Sequence, residues 1–259
     1  MIQFKTPFLF ILFCCLSFIN VLVSQNSKEL NYNELSQRLL ADIRDGKETT
    51  EYEKILAETS EKDISDQLKT DDQKIAFWIN IYNAFIQIKL KEDPNRYEKR
   101  NQFFATKFIE IAGRIMSFSD IEHGILRRSQ WMYGLGRIRN PFAPGYQKRL
   151  SPSKKEPRIH FALNCGAKSC PPIAIYDYKP LDQQLNQVSI KFLKENTTYK
   201  KDNDLVYTTA LFSWFRGDFG GKSGVKKMLK EFDLIPNEQV RLKFDDYDWT
   251  LDLDNFIEE

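Results

Sequence analysis

The sequence predicts an α+β fold in which one buried helix packs against an antiparallel sheet. The run 73–90 is the most apolar stretch after residue 24, and its apolar side chains cover most of a helix circumference, which places this helix in the core. Short apolar and aromatic segments bounded by glycine, proline and asparagine predict several strands. The chain has no internal repeat and no linker rich in glycine, proline or serine, so these elements are expected to share one domain.

Residues 1–24 have the composition of a secretory signal peptide. Lys5 supplies a positive start, the run 7–23 is largely apolar, and Ser24 is a small residue ahead of a polar stretch. The alternative is an uncleaved N-terminal membrane anchor, because Leu22 is a poor residue for the position before the cleavage pair. Export to the periplasm or the cell exterior is therefore expected, and such a compartment favours disulfides.

Helices are expected to precede the buried helix. The spacing of leucines predicts an amphipathic helix over Leu30–Ile43, and shorter helices are expected over Glu51–Thr59 and 63–68. The chain should then divide, after the leader, into a helical segment over 25–69 and a single α+β domain over 70–259.

Asn80 and Asn83 lie three positions apart on the buried helix and therefore on one face. A carboxamide inside a core needs partners for its donors and its acceptor. The pair is expected to tie neighbouring loops to the helix, because most buried polar groups serve structure. The alternative is that one of them orients a catalytic imidazole or stabilises an oxyanion.

A β-hairpin is expected over 108–118, with Gly113-Arg114 as its two-residue turn. The S-x-x-E pattern at Ser119–Glu122 then predicts a capping box that opens a helix running to about Arg128 and carrying His123. Capping would give Glu122 an ordinary structural role.

The region 131–156 is rich in glycine, proline and basic residues and predicts a long irregular loop, of the kind that is usually a functional lid or disordered. Its charge does not indicate nucleic-acid binding. The chain has 38 Lys and Arg against 36 Asp and Glu; without the single lysine of the leader the net charge is +1, which gives no electrostatic case for a nucleic acid as the main ligand.

The segment Arg158–Leu163 is short, apolar and preceded by a proline, and it predicts a buried strand that runs into a turn at Asn164-Cys165-Gly166. On a strand, His160 and Asn164 would lie on the same face. The turn would present Cys165, and the pair Pro171-Pro172 would stiffen the loop that follows.

The remaining sequence predicts further helices and strands. The helices are expected over Leu181–Leu193 and Gly224–Phe232, a strand over Asp204–Thr209, and a terminal hairpin from Val240–Phe244 with Trp249–Leu253.

Three stretches are similar to one known family. They are Phe77–Ala84 (FWINIYNA), Ser119–His123 (SDIEH) and Ile159–Pro172 (IHFALNCGAKSCPP). Together with the later Trp214–Gly220, they resemble the family catalogued as domain of unknown function 547, over residues 70 to 220. The catalogue name records no established activity, so the resemblance implies kinship of fold and carries over no catalytic residue.

The two histidines, and the two cysteines that lie outside the leader, all fall within these stretches. The first hypothesis is an exported cysteine-dependent hydrolase or acyltransferase, with Cys165 as nucleophile and His160 or His123 as base. The orienting or oxyanion group would come from Glu122, Asn80, Asn83 or Asn164. A central helix ahead of an antiparallel sheet resembles papain or transglutaminase architecture, but those enzymes carry the cysteine at the start of that helix, and this helix has none.

The same residues support other hypotheses. Cys165 and Cys170 could close a structural or binding loop as a disulfide, or could form a thiol–disulfide exchange site in which Cys165 attacks and Cys170 resolves. Zinc binding by both cysteines with His160 and His123 is chemically reasonable, but the spacing matches no standard zinc motif. The sequence therefore predicts a small-molecule or peptide ligand, no cofactor, no metal and no membrane contact beyond the leader.

Overall fold

The computed structural model describes residues 31–257, so the predicted leader over 1–24 lies outside the described residues. Its α-helices are α1 (Tyr32–Arg44), α2 (Thr50–Glu58), α3 (Glu61–Gln67), α4 (Asp71–Glu92), α5 (Arg100–Ala105), α6 (Gly145–Leu150), α7 (Leu181–Glu195), α8 (Leu211–Trp214) and α9 (Gly221–Glu231). Small sheets accompany these helices, and the predicted α+β class is confirmed. Within 31–257 no helix is both long enough and apolar enough to cross a membrane. The division of the chain between residues 69 and 70 stays a prediction.

Helix α4 is the centre of the core, as predicted. It begins with a capping box, in which the Thr70 hydroxyl accepts from the Gln73 backbone and the Gln73 side chain accepts from the Thr70 backbone. From Ile75 to Ile88 every residue is buried, because apolar side chains surround the helix and α1 packs along it. Pro94 follows the end of the helix and opens a short 3₁₀-helix over Pro94–Lys99.

The predicted hairpin is present, with its turn one residue earlier than expected. Strands β1 (Ile109–Ile111) and β2 (Arg114–Met116) are antiparallel and pair Ile111 with Arg114. The turn is Ala112-Gly113, with φ of 57° and 63°, which is the geometry of a type I′ turn. The backbone N–H groups of this turn donate to the carbonyls of Leu56 and Ala57 at 3.0 and 3.3 Å, so the end of α2 fixes its position.

The second sheet is mixed, which corrects the expectation of purely antiparallel strands. Strand β3 (Thr197–Lys200) pairs antiparallel with β4 (Leu205–Thr208), and β4 pairs in parallel with β5 (Arg241–Phe244). The predicted hairpin between β5 and Trp249–Leu253 is wrong, since β5 pairs with β4 and not with that segment. Helix α9 lies in the crossover that the parallel pair requires. Trp249–Leu253 instead runs beside the cysteine loop, where Leu251 forms a bridge with Ala167.

The predicted strand over Arg158–Leu163 is also wrong. Pro157–Phe161 forms a 3₁₀-helix, whose first turn is capped by the Glu156 carboxylate accepting from the Arg158 backbone N–H at 3.0 Å. A short apolar run is compatible with either a buried strand or a buried helical turn, and here proline at the first position with an acidic cap favours the turn. His160 and Asn164 therefore do not share a strand face.

We predict that Trp78→Ala lowers the free energy of unfolding by about 3–5 kcal/mol, because the indole is fully buried and its removal leaves a cavity in the core. Urea unfolding measures the change. Tyr133→Ala is the matched control, since Tyr133 is 73% exposed and its loss should change stability by less than about 0.5 kcal/mol. Equal stability of the Trp78→Ala variant and the unsubstituted protein would show that α4 is not the centre of the core.

Candidate functional site

A pocket of about 200 Å³ brings together four of the residues that the sequence singles out: Glu122, His123, His160 and Cys165. Most of the remaining wall is aromatic and comprises Tyr82, Phe104, Trp214, Phe215, Tyr247 and Trp249. Met132, from the predicted irregular loop over 131–156, also lines the pocket. That loop contains a short 3₁₀-helix over Met132–Gly134 and helix α6. A small apolar pocket with a few convergent polar groups is the usual form of a ligand site.

Cys165 and Cys170 form a disulfide, with an S–S distance of 2.10 Å. The nucleophile predicted at Cys165 is therefore absent from this oxidised state, because a disulfide sulfur carries no thiolate. The two cysteines differ in their surroundings. Cys165 is partly exposed and lines the pocket, whereas Cys170 is 4% exposed and lies behind it.

Three hydrogen-bond donors surround the sulfur of Cys170. The backbone N–H groups of Cys165 and Ala167 donate to Sγ at 2.9 and 3.4 Å. The Tyr247 hydroxyl donates to it at 3.2 Å and also lies 3.4 Å from Cys165 Sγ. Burial raises the pKa of the Tyr247 phenol well above its usual range, so this group keeps its proton. In the disulfide, Cys170 Sγ is only a weak hydrogen-bond acceptor. The same three donors would stabilise the thiolate that forms on this sulfur if the disulfide is reduced.

Asp218 organises the polar side of the site from behind the pocket wall. Its Oδ2 accepts from His160 Nε2 at 3.0 Å and from Arg127 Nε at 2.7 Å, and its Oδ1 accepts from Lys155 Nζ at 2.8 Å. Burial alone would raise the pKa of this carboxyl, but the hydrogen bond from His160 and the charge of Arg127 hold that pKa far below its usual range. Asp218 therefore stays ionised while 2% exposed.

The Asp218 carboxylate fixes the tautomer of His160. Because an ionised carboxylate only accepts hydrogen bonds, His160 Nε2 carries the proton and Nδ1 is the basic nitrogen. The ring is stacked on Phe215, with a centroid distance of 3.7 Å. Burial lowers the pKa of His160 despite the opposing hydrogen bond to Asp218, so the imidazole is neutral near pH 7 and available as a base.

Two glycines allow the long loop to reach Asp218. Gly136 has a φ of +78°, and a Cβ there would lie 2.8 Å from the backbone nitrogen of Asp218. A Cβ on Gly217 would lie 2.6 Å from the Leu135 carbonyl, which instead accepts from the Gly217 N–H at 2.8 Å. Only residues without a side chain fit this approach.

Glu122 and His123 lie on a π-helix over Asp120–Leu126, a form that is frequent at functional sites. The predicted capping box at Ser119–Glu122 is wrong. Ser119 already has helical dihedrals and makes no side-chain cap. Ser117 is the capping residue instead: its hydroxyl accepts from the Asp120 backbone N–H at 3.0 Å, and the Asp120 carboxylate accepts from the Ser117 backbone N–H at 3.0 Å. Glu122 is therefore free of the structural role expected for it.

His123 is held as a hydrogen-bond acceptor. Arg127 Nη1 lies 2.8 Å from His123 Nδ1, and since a guanidinium only donates, the imidazole proton is on Nε2. Burial lowers the pKa of His123. Glu122 Oε1 lies 3.4 Å from the same Nδ1. Because Nδ1 accepts from Arg127, it carries no proton to donate to Glu122. Glu122 Oε1 is buried and makes no hydrogen bond.

The three asparagines serve structure, and none lines the pocket. Asn80 donates to the Tyr176 carbonyl at 2.8 Å and accepts from the Tyr176 N–H at 2.9 Å. Asn83 donates to the Ala162 carbonyl at 2.9 Å and accepts from the Asn164 N–H at 2.8 Å. The Asn164 side chain closes the cysteine loop by donating to the Pro171 carbonyl at 2.8 Å and accepting from the Gly166 N–H at 2.9 Å.

Sequence reasoning missed the residues that hold the site from behind. Asp218 lies in the quoted stretch Trp214–Gly220, but no role was expected for it. Lys155 was counted only as part of the basic loop over 131–156, and Arg127 and Tyr247 were given no role. Among residues 31–257 no group of three His, Cys, Asp or Glu side chains is arranged to hold a metal ion, and the zinc set proposed from the sequence has both of its sulfurs joined in the disulfide.

Comparison with known families gives one match. Residues 65–193 match the family described as "Protein of unknown function, DUF547", which confirms the resemblance seen in Phe77–Ala84, Ser119–His123 and Ile159–Pro172. No curated protein and no solved structure matches the chain. The resemblance to papain or transglutaminase architecture stays a prediction.

We predict that stability falls as the pH is lowered from 7.5 to 5.5. The pKa values of His123 and His160 are lowered in the folded protein, whereas in the unfolded chain they lie near 6.5. As the pH falls, the histidines of the unfolded chain are therefore protonated before those of the folded protein. The stability that is present above about pH 6.5 is lost below it, by up to about 1.4 kcal/mol per pH unit for each histidine.

Urea unfolding at pH 7.5, 6.5 and 5.5 measures this loss. The control is His123→Asn, whose amide oxygen takes the place of Nδ1 and can still accept from Arg127, while the side chain no longer titrates. This variant should lose less stability over the same range. A free energy of unfolding that is constant or rises as the pH falls would contradict the neutral state of both imidazoles.

Proposed function

For a chain whose residues 65–193 belong to the DUF547 family, we propose an exported thiol–disulfide exchange protein that acts on a small thiol or a thiol-containing peptide in the aromatic pocket. The observation that most supports this proposal is that the two sulfurs of the disulfide have different surroundings. Cys165 lines the pocket, while the buried sulfur of Cys170 is surrounded by three donors. An exchange site needs one sulfur open to attack and a second that leaves readily.

The first step is attack on Cys165. A substrate thiolate in the pocket forms a bond to Cys165 Sγ, the Cys165–Cys170 bond breaks, and its electron pair moves to Cys170 Sγ. The donors from Cys165 N, Ala167 N and Tyr247 Oη strengthen as charge develops on Cys170 Sγ. Lowering the pKa of the leaving thiol in this way accelerates exchange.

His160 is the proposed base for the incoming thiol. Its neutral imidazole, on the pocket wall, would take the thiol proton on Nδ1 while Asp218 holds the Nε2 proton. The ionised Asp218 also stabilises the imidazolium that forms, as an orienting carboxylate does in a nucleophile–base–acid arrangement.

A second thiolate completes the cycle. It attacks the substrate sulfur of the mixed disulfide, the substrate leaves as a disulfide, and the electron pair returns to Cys165, which leaves the protein as a dithiol. A low-molecular-weight or protein disulfide then reoxidises the pair by the reverse exchange. The proposed export, through the leader over 1–24, would keep Cys165 and Cys170 mainly oxidised between turnovers.

A second candidate function is acyl transfer by the reduced protein. The observation that favours it is the Asp218–His160 pair, whose imidazole lines the same pocket as Cys165, since a cysteine with a carboxylate-oriented histidine is a nucleophile of hydrolases and acyltransferases. The disulfide would then act as a lock on that nucleophile. Incubating the reduced and the oxidised protein with a small acyl thioester, followed by mass spectrometry, tests this: an acyl group on Cys165 of the reduced protein alone supports it, and no adduct contradicts it.

We predict that Tyr247→Phe slows reduction of the disulfide by 2-mercaptoethanol about tenfold, because it removes one donor to the developing Cys170 thiolate and a hydrogen bond to a charged group contributes about 1.5–3 kcal/mol. Trapping free thiols with a maleimide at timed intervals gives the rate. Tyr133→Phe is the control, since Tyr133 is 73% exposed. The disulfide of this variant should be reduced at the same rate as that of the unsubstituted protein.

The position of attack is tested with single-cysteine variants. Cys170→Ser should form a mixed disulfide with a small symmetric disulfide at Cys165, at least about tenfold faster than Cys165→Ser does at the buried Cys170. Equal rates for the two variants, together with an unchanged rate for Tyr247→Phe, would contradict the proposed exchange centre.

A further inference from the structure

We infer that the pocket selects a thiol substrate that carries a cationic ammonium group, bound by Glu122 and by the aromatic wall. The inference rests on the proposed exchange function and names its substrate class. Three observations support it: a buried oxygen of Glu122 has no hydrogen-bond partner, the neighbouring basic groups do not pair with Glu122, and the pocket wall is aromatic.

The first observation is the unpaired oxygen. The Glu122 side chain lines the pocket and is 15% exposed, and its Oε1 is buried and makes no hydrogen bond. Buried polar atoms nearly always have a partner, and each exception calls for an explanation. The capping role that would have supplied one belongs to Ser117 and Asp120. A ligand with N–H donors would supply the missing partner.

The second observation is that no neighbouring basic group pairs with Glu122. Arg127 donates through Nε to Asp218 and through Nη1 to His123, and its buried Nη2 makes no hydrogen bond. His123 presents only a lone pair at Nδ1. No lysine or arginine among residues 31–257 forms an ion pair with Glu122. Burial, the charge of Glu122 and a hydrogen bond to Glu122 raise the pKa of Tyr82 well above its usual range, so that phenol is a neutral neighbour and leaves Glu122 Oε1 unpaired. The negative charge of Glu122 is therefore open to a cation from outside.

The third observation is the chemistry of the wall. Trp214, Tyr247 and Trp249 contact one another with ring centroids 4.7 to 5.5 Å apart and present indole and phenol surfaces to the pocket. Cations are attracted to such ring faces. The Arg100 guanidinium already lies 5.0 Å from the centroid of Trp249, and the Arg127 guanidinium lies 4.7 Å from that of Phe215.

The cation is organic rather than metallic, and it is small. A divalent metal needs several oxygen, nitrogen or sulfur ligands, and no group of three such residues is found among those described. The volume of about 200 Å³ suits a short aminothiol or one cysteine with an adjacent basic group. An anionic thiol would meet the Glu122 carboxylate and would be disfavoured.

The test compares three thiols of similar size as reductants of the Cys165–Cys170 bond: 2-aminoethanethiol, 2-mercaptoethanol and 3-mercaptopropionate. The proteins compared are the unsubstituted chain, Glu122→Gln, the charge-retaining Glu122→Asp, and the control Glu98→Gln at an exposed site. The measured quantity is the ratio of the rates with 2-aminoethanethiol and 2-mercaptoethanol, so that differences in intrinsic thiol reactivity cancel between variants.

The ratio is expected to fall about tenfold in Glu122→Gln, to change little in Glu98→Gln, and to be partly retained in Glu122→Asp. The rate with 2-mercaptoethanol should be the same in Glu98→Gln as in the unsubstituted protein, and an unchanged circular dichroism spectrum of Glu122→Gln shows that this variant is folded. An equal ratio in the unsubstituted protein and Glu122→Gln would overturn the inference while leaving the exchange function intact.

A binding measurement separates the two proposals. Ethylammonium, which has no thiol, should change the fluorescence of Trp214 and Trp249 in the unsubstituted protein at concentrations about tenfold lower than those needed in Glu122→Gln. The isosteric but uncharged propane should act equally on the two proteins. Absence of any reduction by the three thiols would contradict the exchange function. Equal ethylammonium affinity in both proteins would contradict the cation site.

Discussion

The structure depends on three buried carboxamides of the central helix α4. Asn80 holds the backbone of Tyr176 and Asn83 holds the backbones of Ala162 and Asn164, each through both its nitrogen and its oxygen. Gln87 accepts from the Asp254 N–H at 3.0 Å, while its buried Nε2 makes no hydrogen bond. Each of these partners lies in a segment without regular secondary structure. A carboxamide left unpaired in the core is costly, so the helix determines where three long irregular segments run.

The candidate site follows from that constraint. Asn83 fixes the turn between the 3₁₀-helix over Pro157–Phe161 and the cysteine loop, which sets the position of Cys165 relative to His160. Asp218 then joins His160, Arg127 and Lys155 from three separate parts of the chain. The pocket thus has a rigid polar side behind His160 and an aromatic side beside the disulfide, an arrangement that suits a reaction in which one sulfur is attacked and the other is stabilised as it leaves.

Sequence patterns predicted the parts of this arrangement that depend on local periodicity. Helix α4, the turn of β1 and β2 to within one residue, and the structural role of Asn80 and Asn83 follow from spacing and burial. The short run Arg158–Leu163 was mispredicted because an apolar run of six residues has no period that separates a strand from a helical turn. The capping box was assigned two residues too late, because Ser117 and Ser119 each have an acidic residue three positions further on, and only the backbone geometry decides between them. Asp218 and Tyr247 could not be placed, since their roles arise from contacts 58 and 77 residues away along the chain.

The most direct test of the account is the redox equilibrium of Cys165 and Cys170 in the folded protein. The chain is equilibrated in glutathione buffers of increasing reducing strength, and its thiols are trapped and counted by mass spectrometry. Donors around Cys170 should stabilise the reduced pair, so we expect the bond to be reduced within the glutathione range, at a midpoint above about −300 mV. A bond that stays fully oxidised in the folded protein at every glutathione ratio, and is reduced only after unfolding, would contradict an exchange centre and would make the disulfide a structural closure of the loop.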